Sequence, residues 1–352
     1  MTQNGKKQIA RKRMRFFYQE VVWGFILVFL FLLIPVYVLP LIVDVNNPLY
    51  SIIFYSLRAI FVFIGIPLIF PLSNLIFESQ KRNLILEEDI SPAIGHLKLY
   101  KISKKNYKFQ ILYGILIFFL VFLPIDFFGY LLIPGMLEYQ AVSLPDVDIY
   151  LKSPNYFLFL ISAIIIQFSV AITEETVSRG LLAKRGSEHF FRMSAVIISA
   201  LYWGFGHFAY FLNPISRLYP IWYPFIWFFQ SFFIGIILSL LVLRRKWIFP
   251  AIIAHTLNNI ISAHAVWSFW QENSFTVIAL YLYYPLLIIG VMLFVWYYSQ
   301  IKEGLSIGFK MLKTYFKPDK ASEETKGDTI FRVFFDILMG LLLFIMGFLI
   351  LI

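Results

Sequence analysis

Nine stretches of this chain are apolar for long enough to cross about 30 Å of hydrocarbon, and that leaves few folds open. They run roughly over residues 21–43, 52–77, 109–132, 156–183, 193–212, 222–243, 247–267, 275–298 and 333–352. In lipid every backbone N–H and C=O must be satisfied within the protein, so a spanning segment is a helix or a strand of a closed barrel. Barrel strands are about ten residues of alternating polarity, whereas these runs are continuous and much longer. The chain is therefore read as all-α, a polytopic transmembrane helical bundle of about eight or nine spans. Composition agrees, with 60% hydrophobic and only 14% charged residues. A soluble domain needs about a quarter of its residues charged to cover its surface.

The basic residues orient the spans. Lys6, Lys7, Arg11, Lys12, Arg13 and Arg15 precede the first, and a second group from Lys81 to Lys108 follows the second. Arg179, Lys184, Arg185 and Arg192 close the fourth, Arg244, Arg245 and Lys246 the sixth, and six lysines from Lys302 to Lys326 the eighth. The alternate loops hold only Lys152 and Arg217. By the positive-inside rule the N-terminus is cytoplasmic and the C-terminus lies outside. The net charge of +10 is then topology plus attraction to anionic lipid. With no groove-reading motif present, a nucleic-acid partner is excluded. The first apolar run is too long for a cleavable signal and is expected to remain as an anchor.

Residues 1–20 read as a basic cytoplasmic tail and 21–352 as one membrane domain, with a catalytic core at about 156–267. The segments 78–108 and 300–328 are too short to fold alone. The apolar and acidic run 84–89 in the first is expected to lie at the interface as a helix. Zero cysteines exclude a thiol nucleophile, Cys-bound zinc and iron–sulfur chemistry.

An ionisable group near the bilayer centre costs about 2.5–3.5 kcal/mol or more, so such groups mark function. Several have plain explanations. Arg58 and Asp126 lie near outer span ends and are expected to snorkel. Arg332 and Asp336 are spaced to pair at i,i+4. His96, His189 and His264 are expected to be solvated. What remains falls in three spans: Glu174-Glu175-Thr176-Val177-Ser178-Arg179-Gly180, Trp203-Gly204-Phe205-Gly206-His207, and His255-Thr256-Leu257-Asn258-Asn259.

Adjacent helical residues point about 100° apart, so Glu174 and Glu175 face different ways. Glu175 and Arg179 are i,i+4 with the acid first, the better order for an ion pair. Glu175 then reads as an orienting carboxylate. Glu174, without a local cation, suits a general base. His255 and Asn259 share a helix face, and Gly204 and Gly206 would admit a neighbouring helix beside His207. At 1.5 Å per residue from the flanking basic residues, Glu174, His207, His255 and Asn259 fall within a layer of about 8 Å.

Glu-Glu-x-x-x-Arg-Gly, aromatic-x-x-x-His and His-x-x-x-Asn in this order resemble the CPBP family of intramembrane proteases, which includes the CAAX prenyl endopeptidases and bacteriocin-processing proteins. The resemblance spans about residues 161–264. Trp203 stands where that family usually has Phe, and Thr176-Val177-Ser178 replaces a more apolar filler. The resemblance implies peptide-bond hydrolysis in a cavity open to the cytoplasm. Glu174 would activate water, held by Glu175 and Arg179, while His207 would position the water or bind a metal. His255 and Asn259 would stabilise the oxyanion, the largest contribution in acyl transfer. His207 and His255 with a glutamate would equally suit zinc or another divalent ion. A metal-free mechanism fits the same residues.

The expected partners are a lipid bilayer and a peptide or membrane-protein substrate, and the expected setting is a bacterial plasma membrane. Two rival readings are a non-catalytic scaffold or immunity protein and a transporter using the buried Glu and His residues as a proton relay.

Overall fold

The computed structural model describes residues 3–77, 91–133, 135–143, 149–209, 219–319 and 324–351. The run 84–89 and Arg217 lie outside them. The helices in chain order are α1 (Gly5–Leu41), α2 (Pro48–Phe77), α3 (Pro92–Lys98), α4 (Tyr107–Leu132), α5 (Met136–Ser143) and α6 (Tyr156–His189). They continue with α7 (Arg192–Gly206), α8 (Tyr223–Arg245), α9 (Phe249–Trp270), α10 (Phe275–Trp296), α11 (Tyr298–Tyr315) and α12 (Lys326–Leu351). No strand occurs among the described residues. The chain is an all-α polytopic bundle.

Seven of these helices are long and apolar enough to cross a membrane: α1, α2, α4, α6, α8, α10 and α12. The nine expected spans differ from this at α7 and α9. α7 is only 15 residues long and ends at Gly206; of the rest of its expected span, 207–212, the described residues cover only 207–209. α9 has the length, 22 residues, but His255, Asn258, Asn259, Ser262, His264 and Ser268 make it too polar. His255, Asn258 and Asn259 on α9 belong to the candidate site, and His207 caps the end of α7.

Among the described residues five segments widen to i→i+5 hydrogen bonding: Phe17–Val22, Ile34–Val38, Phe118–Phe122, Thr176–Arg185 and Ala279–Tyr283. Proline explains three. A helical proline lacks its N–H and clashes with the carbonyl four residues earlier. The wide turns at Phe118–Phe122 and Ala279–Tyr283 contain the carbonyls that Pro124 and Pro285 would meet, and Ile34–Val38 contains Pro35. The other two contain no proline. They are joined instead by buried charge: Arg185 meets Glu20 at 2.6 Å, and His189 approaches the same carboxylate at 3.0 Å. Isolated wide turns of this kind are frequent at functional sites.

α7 packs against α8 and α12, α9 against α4 and α6, and α6 against α2. The buried apolar side chains form a core around α4, α6, α8 and α9 and a second among α1, α2, α6 and α12. Gly204 lies close to α8, where a Cβ would stand 3.1 Å from the Phe228 carbonyl oxygen, but Gly206 faces open space among the described residues. Only one of the two glycines therefore serves helix approach.

One end of the bundle is laced by ion pairs, and they overturn the pairing expected there. Asp336 pairs with Arg13 and accepts from the Tyr315 hydroxyl at 3.1 Å, while Arg332 pairs with Glu324 at 3.1 Å. The i,i+4 pair of Arg332 and Asp336 is thus replaced by partners from other elements. His96 and His189 are buried, not solvated, at 4% and 6% exposure. His264 is packed among Tyr156, Phe159 and Trp267.

Candidate active site

Glu175 is the last residue of the regular part of α6, and the wide turn Thr176–Arg185 begins directly after it. Neighbouring elements hold that turn. The Ser199 hydroxyl donates to the Ser178 carbonyl at 2.6 Å, and Tyr100 and Thr176 share a hydroxyl–hydroxyl bond of 2.6 Å. Gly180 is needed for a close approach: a Cβ there would lie 2.4 Å from Cε1 of His96. His96, on α3, is packed beside Phe70 and Tyr100, and burial pushes its imidazole down from 6.5 to about 4.

This has a measurable consequence. With the folded value below the unfolded one, the unfolded chain binds a proton that the folded chain refuses between these two values. Stability from His96 is present above about pH 6.5 and is lost towards pH 4, by about 3 kcal/mol in all. Unfolding curves of wild type and His96→Gln in detergent, from pH 7 to pH 4.5, should show the wild type losing more stability on acidification. Parallel pH slopes would remove His96 as the cause.

The two glutamates diverge as their spacing predicts. Glu175 is fully buried and contacts Arg179 Nε at 3.1 Å through Oε2. Its Oε1 receives Nδ1 of His255 at 2.9 Å. Glu174 keeps 36% of its side chain exposed, and its Oε2 stands 3.8 Å from His255 Nε2. His255 therefore lies between the two carboxylates, and Phe122 stacks on it at 6.0 Å. A charged Glu175 can only accept, so Nδ1 carries the proton and Nε2 is left facing Glu174.

Glu174, His207, His255 and Asn259 line one cavity of about 130 Å³, together with Phe122, Asp126, Trp203, Trp227, Gln230, Ser231 and Asn258. That volume admits several waters or a peptide group. His207 caps the C-terminal end of α7, stacks on Trp227 at 6.0 Å and turns Nε2 towards Ser231 Oγ at 3.4 Å. Glu175 and Arg179 are not among the residues that line it.

Three residues were misjudged from sequence. Trp203 registers there only as a departure from a pattern, yet its indole N–H donates to Glu174 Oε2 at 2.6 Å. Its ring also receives the Arg179 guanidinium at 4.3 Å. Asp126, expected to snorkel outward, is buried and lines the cavity. Arg58, expected to do the same, is half-buried within electrostatic reach of Glu174, and its Nε has no hydrogen-bond partner among the described residues. The signal for Trp203 is chemical: of the aromatic side chains able to fill this slot, Trp offers an N–H.

Hydrogen bonds to charged groups contribute about 1.5–3 kcal/mol. Trp203→Phe is therefore expected to lower kcat about tenfold or more with little change in KM. An unchanged kcat would leave Trp203 as packing alone.

Among the described residues no three His, Cys, Asp or Glu side chains converge to hold a metal ion. Nδ1 of His255 meets Glu175 at 2.9 Å and its Nε2 faces Glu174 at 3.8 Å, while Nε2 of His207 faces Ser231 Oγ at 3.4 Å. A family model described as type II CAAX prenyl endopeptidase, Rce1-like, matches residues 156–261. Over this segment the chain is similar to the Rce1-like endopeptidases. The Rce1-like segment is under a third of the chain and runs from the start of α6 into α9, so it contains all six predicted site residues. It points to an intramembrane endopeptidase of CAAX type. α1 to α5 and α10 to α12 lie outside it, although α4 supplies Phe122 and Asp126 to the same cavity. No curated protein and no solved structure matches the chain.

Proposed function

We propose that the protein hydrolyses peptide bonds of membrane-associated substrates in this cavity by a glutamate-activated water. The observation that carries the reading is Glu174. It is the one carboxylate of the pair that faces the cavity, with its orientation set by the Trp203 N–H. Glu174 takes a proton from the water as the oxygen attacks the scissile carbonyl, and then returns it to the leaving amine as the C–N bond breaks.

Glu175 holds His255 and stabilises it when it carries a second proton, as a buried carboxylate does for imidazolium. His255 Nε2–H and the Asn259 amide then donate to the oxyanion, and His207 orients the incoming water or carbonyl. No step is routed through a metal. The substrate class is a peptide precursor or the tail of a membrane protein. The setting is a bacterial plasma membrane, with the N-terminus and the ion-paired end of the bundle on the cytoplasmic side.

The test compares peptide termini in membranes from cells making the wild-type chain or Glu174→Ala. New termini present with wild type and absent with Glu174→Ala identify substrate and reaction together. Indistinguishable profiles from two folded, equally abundant proteins would sink the reading.

A further inference from the structure

Asp126 is a second carboxylate in the cavity, and the reaction just described leaves it without a task. It sits on α4, outside the Rce1-like segment, and is only 5% exposed although it lines the same space as Glu174. Its position is built. The hydroxyl of Tyr283, fully buried on α10, donates to Oδ2 at 2.7 Å. Tyr130 stands against Tyr283, with ring centroids 6.1 Å apart, and shares a hydroxyl contact of 2.9 Å with Ser262 on α9. Three helices thus fix the carboxyl from behind.

Among the described residues no lysine or arginine lines the cavity; Arg58 acts on Glu174, Arg179 is committed to Glu175, and His255 stands between the two glutamates. Asp126 forms no ion pair among the described residues. A carboxylate at membrane depth that lacks a cation is costly, and residues of this kind mark substrate pathways. Tyrosine hydroxyls orient a carboxylate without neutralising it. The neighbouring wall adds a neutral amide: Gln230 rests against Gly129 and reaches the Ile125 carbonyl at 3.5 Å.

We infer that Asp126 is a specificity-determining residue that receives a basic side chain, Lys or Arg, of the substrate close to the bond that Glu174 attacks. This rests on the protease reading above. The substrate cation completes the charge that the cavity leaves open, and its contact with Asp126 sets the polypeptide in register against Glu174.

The test extends the comparison of termini to Asp126→Asn, which keeps an acceptor for the Tyr283 hydroxyl and removes the charge. Glu174-dependent cleavage sites in the wild type should carry Lys or Arg at one fixed position near the cut, and that enrichment should vanish with Asp126→Asn. For purified protein and two peptides differing only by Lys or Gln at that position, the ratio of their kcat/KM values should fall about tenfold or more, as for a desolvated ion pair. Should Asp126→Asn fail to accumulate, Tyr283→Phe keeps the charge but frees its orientation, and lowers the same ratio. Glu174-dependent sites with no basic preference, or a preference that survives Asp126→Asn, overturn the inference and leave the protease reading intact. Absence of any Glu174-dependent terminus overturns both.

Discussion

Glu174→Gln is expected to leave the fold unchanged and to lower kcat by roughly 100- to 10,000-fold, the range that a positioned general base contributes. Glutamine is close to isosteric and keeps an oxygen to accept the Trp203 indole N–H, so the local hydrogen bond survives. What it cannot do is take the proton of water. The residue also has little structural duty: its side chain is 36% exposed to the cavity, while Glu175 beside it is fully enclosed. Loss of rate without loss of melting temperature is therefore the signature, read by kcat on a peptide carrying a mapped cleavage site and by a thermal melt in the same detergent. A loss under tenfold would remove Glu174 from the role of base. Equal losses of rate and stability would make it a structural carboxylate.

The membrane fold and the divergence of the two glutamates were legible because both follow from short-range rules. Apolar run length specifies spans, and the 100° step of a helix separates Glu174 from Glu175. The pairing of Glu175 with Arg179 likewise needs only i,i+4 spacing. What stayed hidden depends on contacts between segments distant in sequence. Asp126 and Glu174 are 48 positions apart, and the packing of α9 against both α4 and α6 sets them around one cavity. Read alone, Asp126 has the spacing of a span-end residue, so snorkelling was the natural expectation. Arg332 pairs with Glu324 and not with its i,i+4 neighbour, since Asp336 is held by Arg13 from α1. Nothing in the local sequence marks the wide turn at Thr176–Arg185, which has no proline and is held by Tyr100, Ser199 and the Glu20–Arg185 pair.

Arg179, inside that turn, is a costly residue to remove. Its guanidinium and the Glu175 carboxylate are both fully enclosed at membrane depth, and removing one partner of a buried pair costs about 3–5 kcal/mol because the other charge is left uncompensated. Arg179→Met is expected to destabilise by that amount in equilibrium unfolding from mild detergent. Removing both charges should be much milder, so Glu175→Gln with Arg179→Met should recover more than half of the loss, and the cycle of single and double variants measures the coupling. Activity should not follow. The Glu175 carboxylate also holds His255 Nδ1 at 2.9 Å, and a glutamine there cannot stabilise a protonated imidazole, so the rescued double variant should remain slow. Arg179→Lys separates one further contribution, because it keeps the charge but loses the guanidinium that lies over the Trp203 ring. Were the double variant to regain cleavage together with stability, Glu175 and Arg179 would be a packing pair alone, and the positioning of His255 would have to come from Phe122 and Trp203.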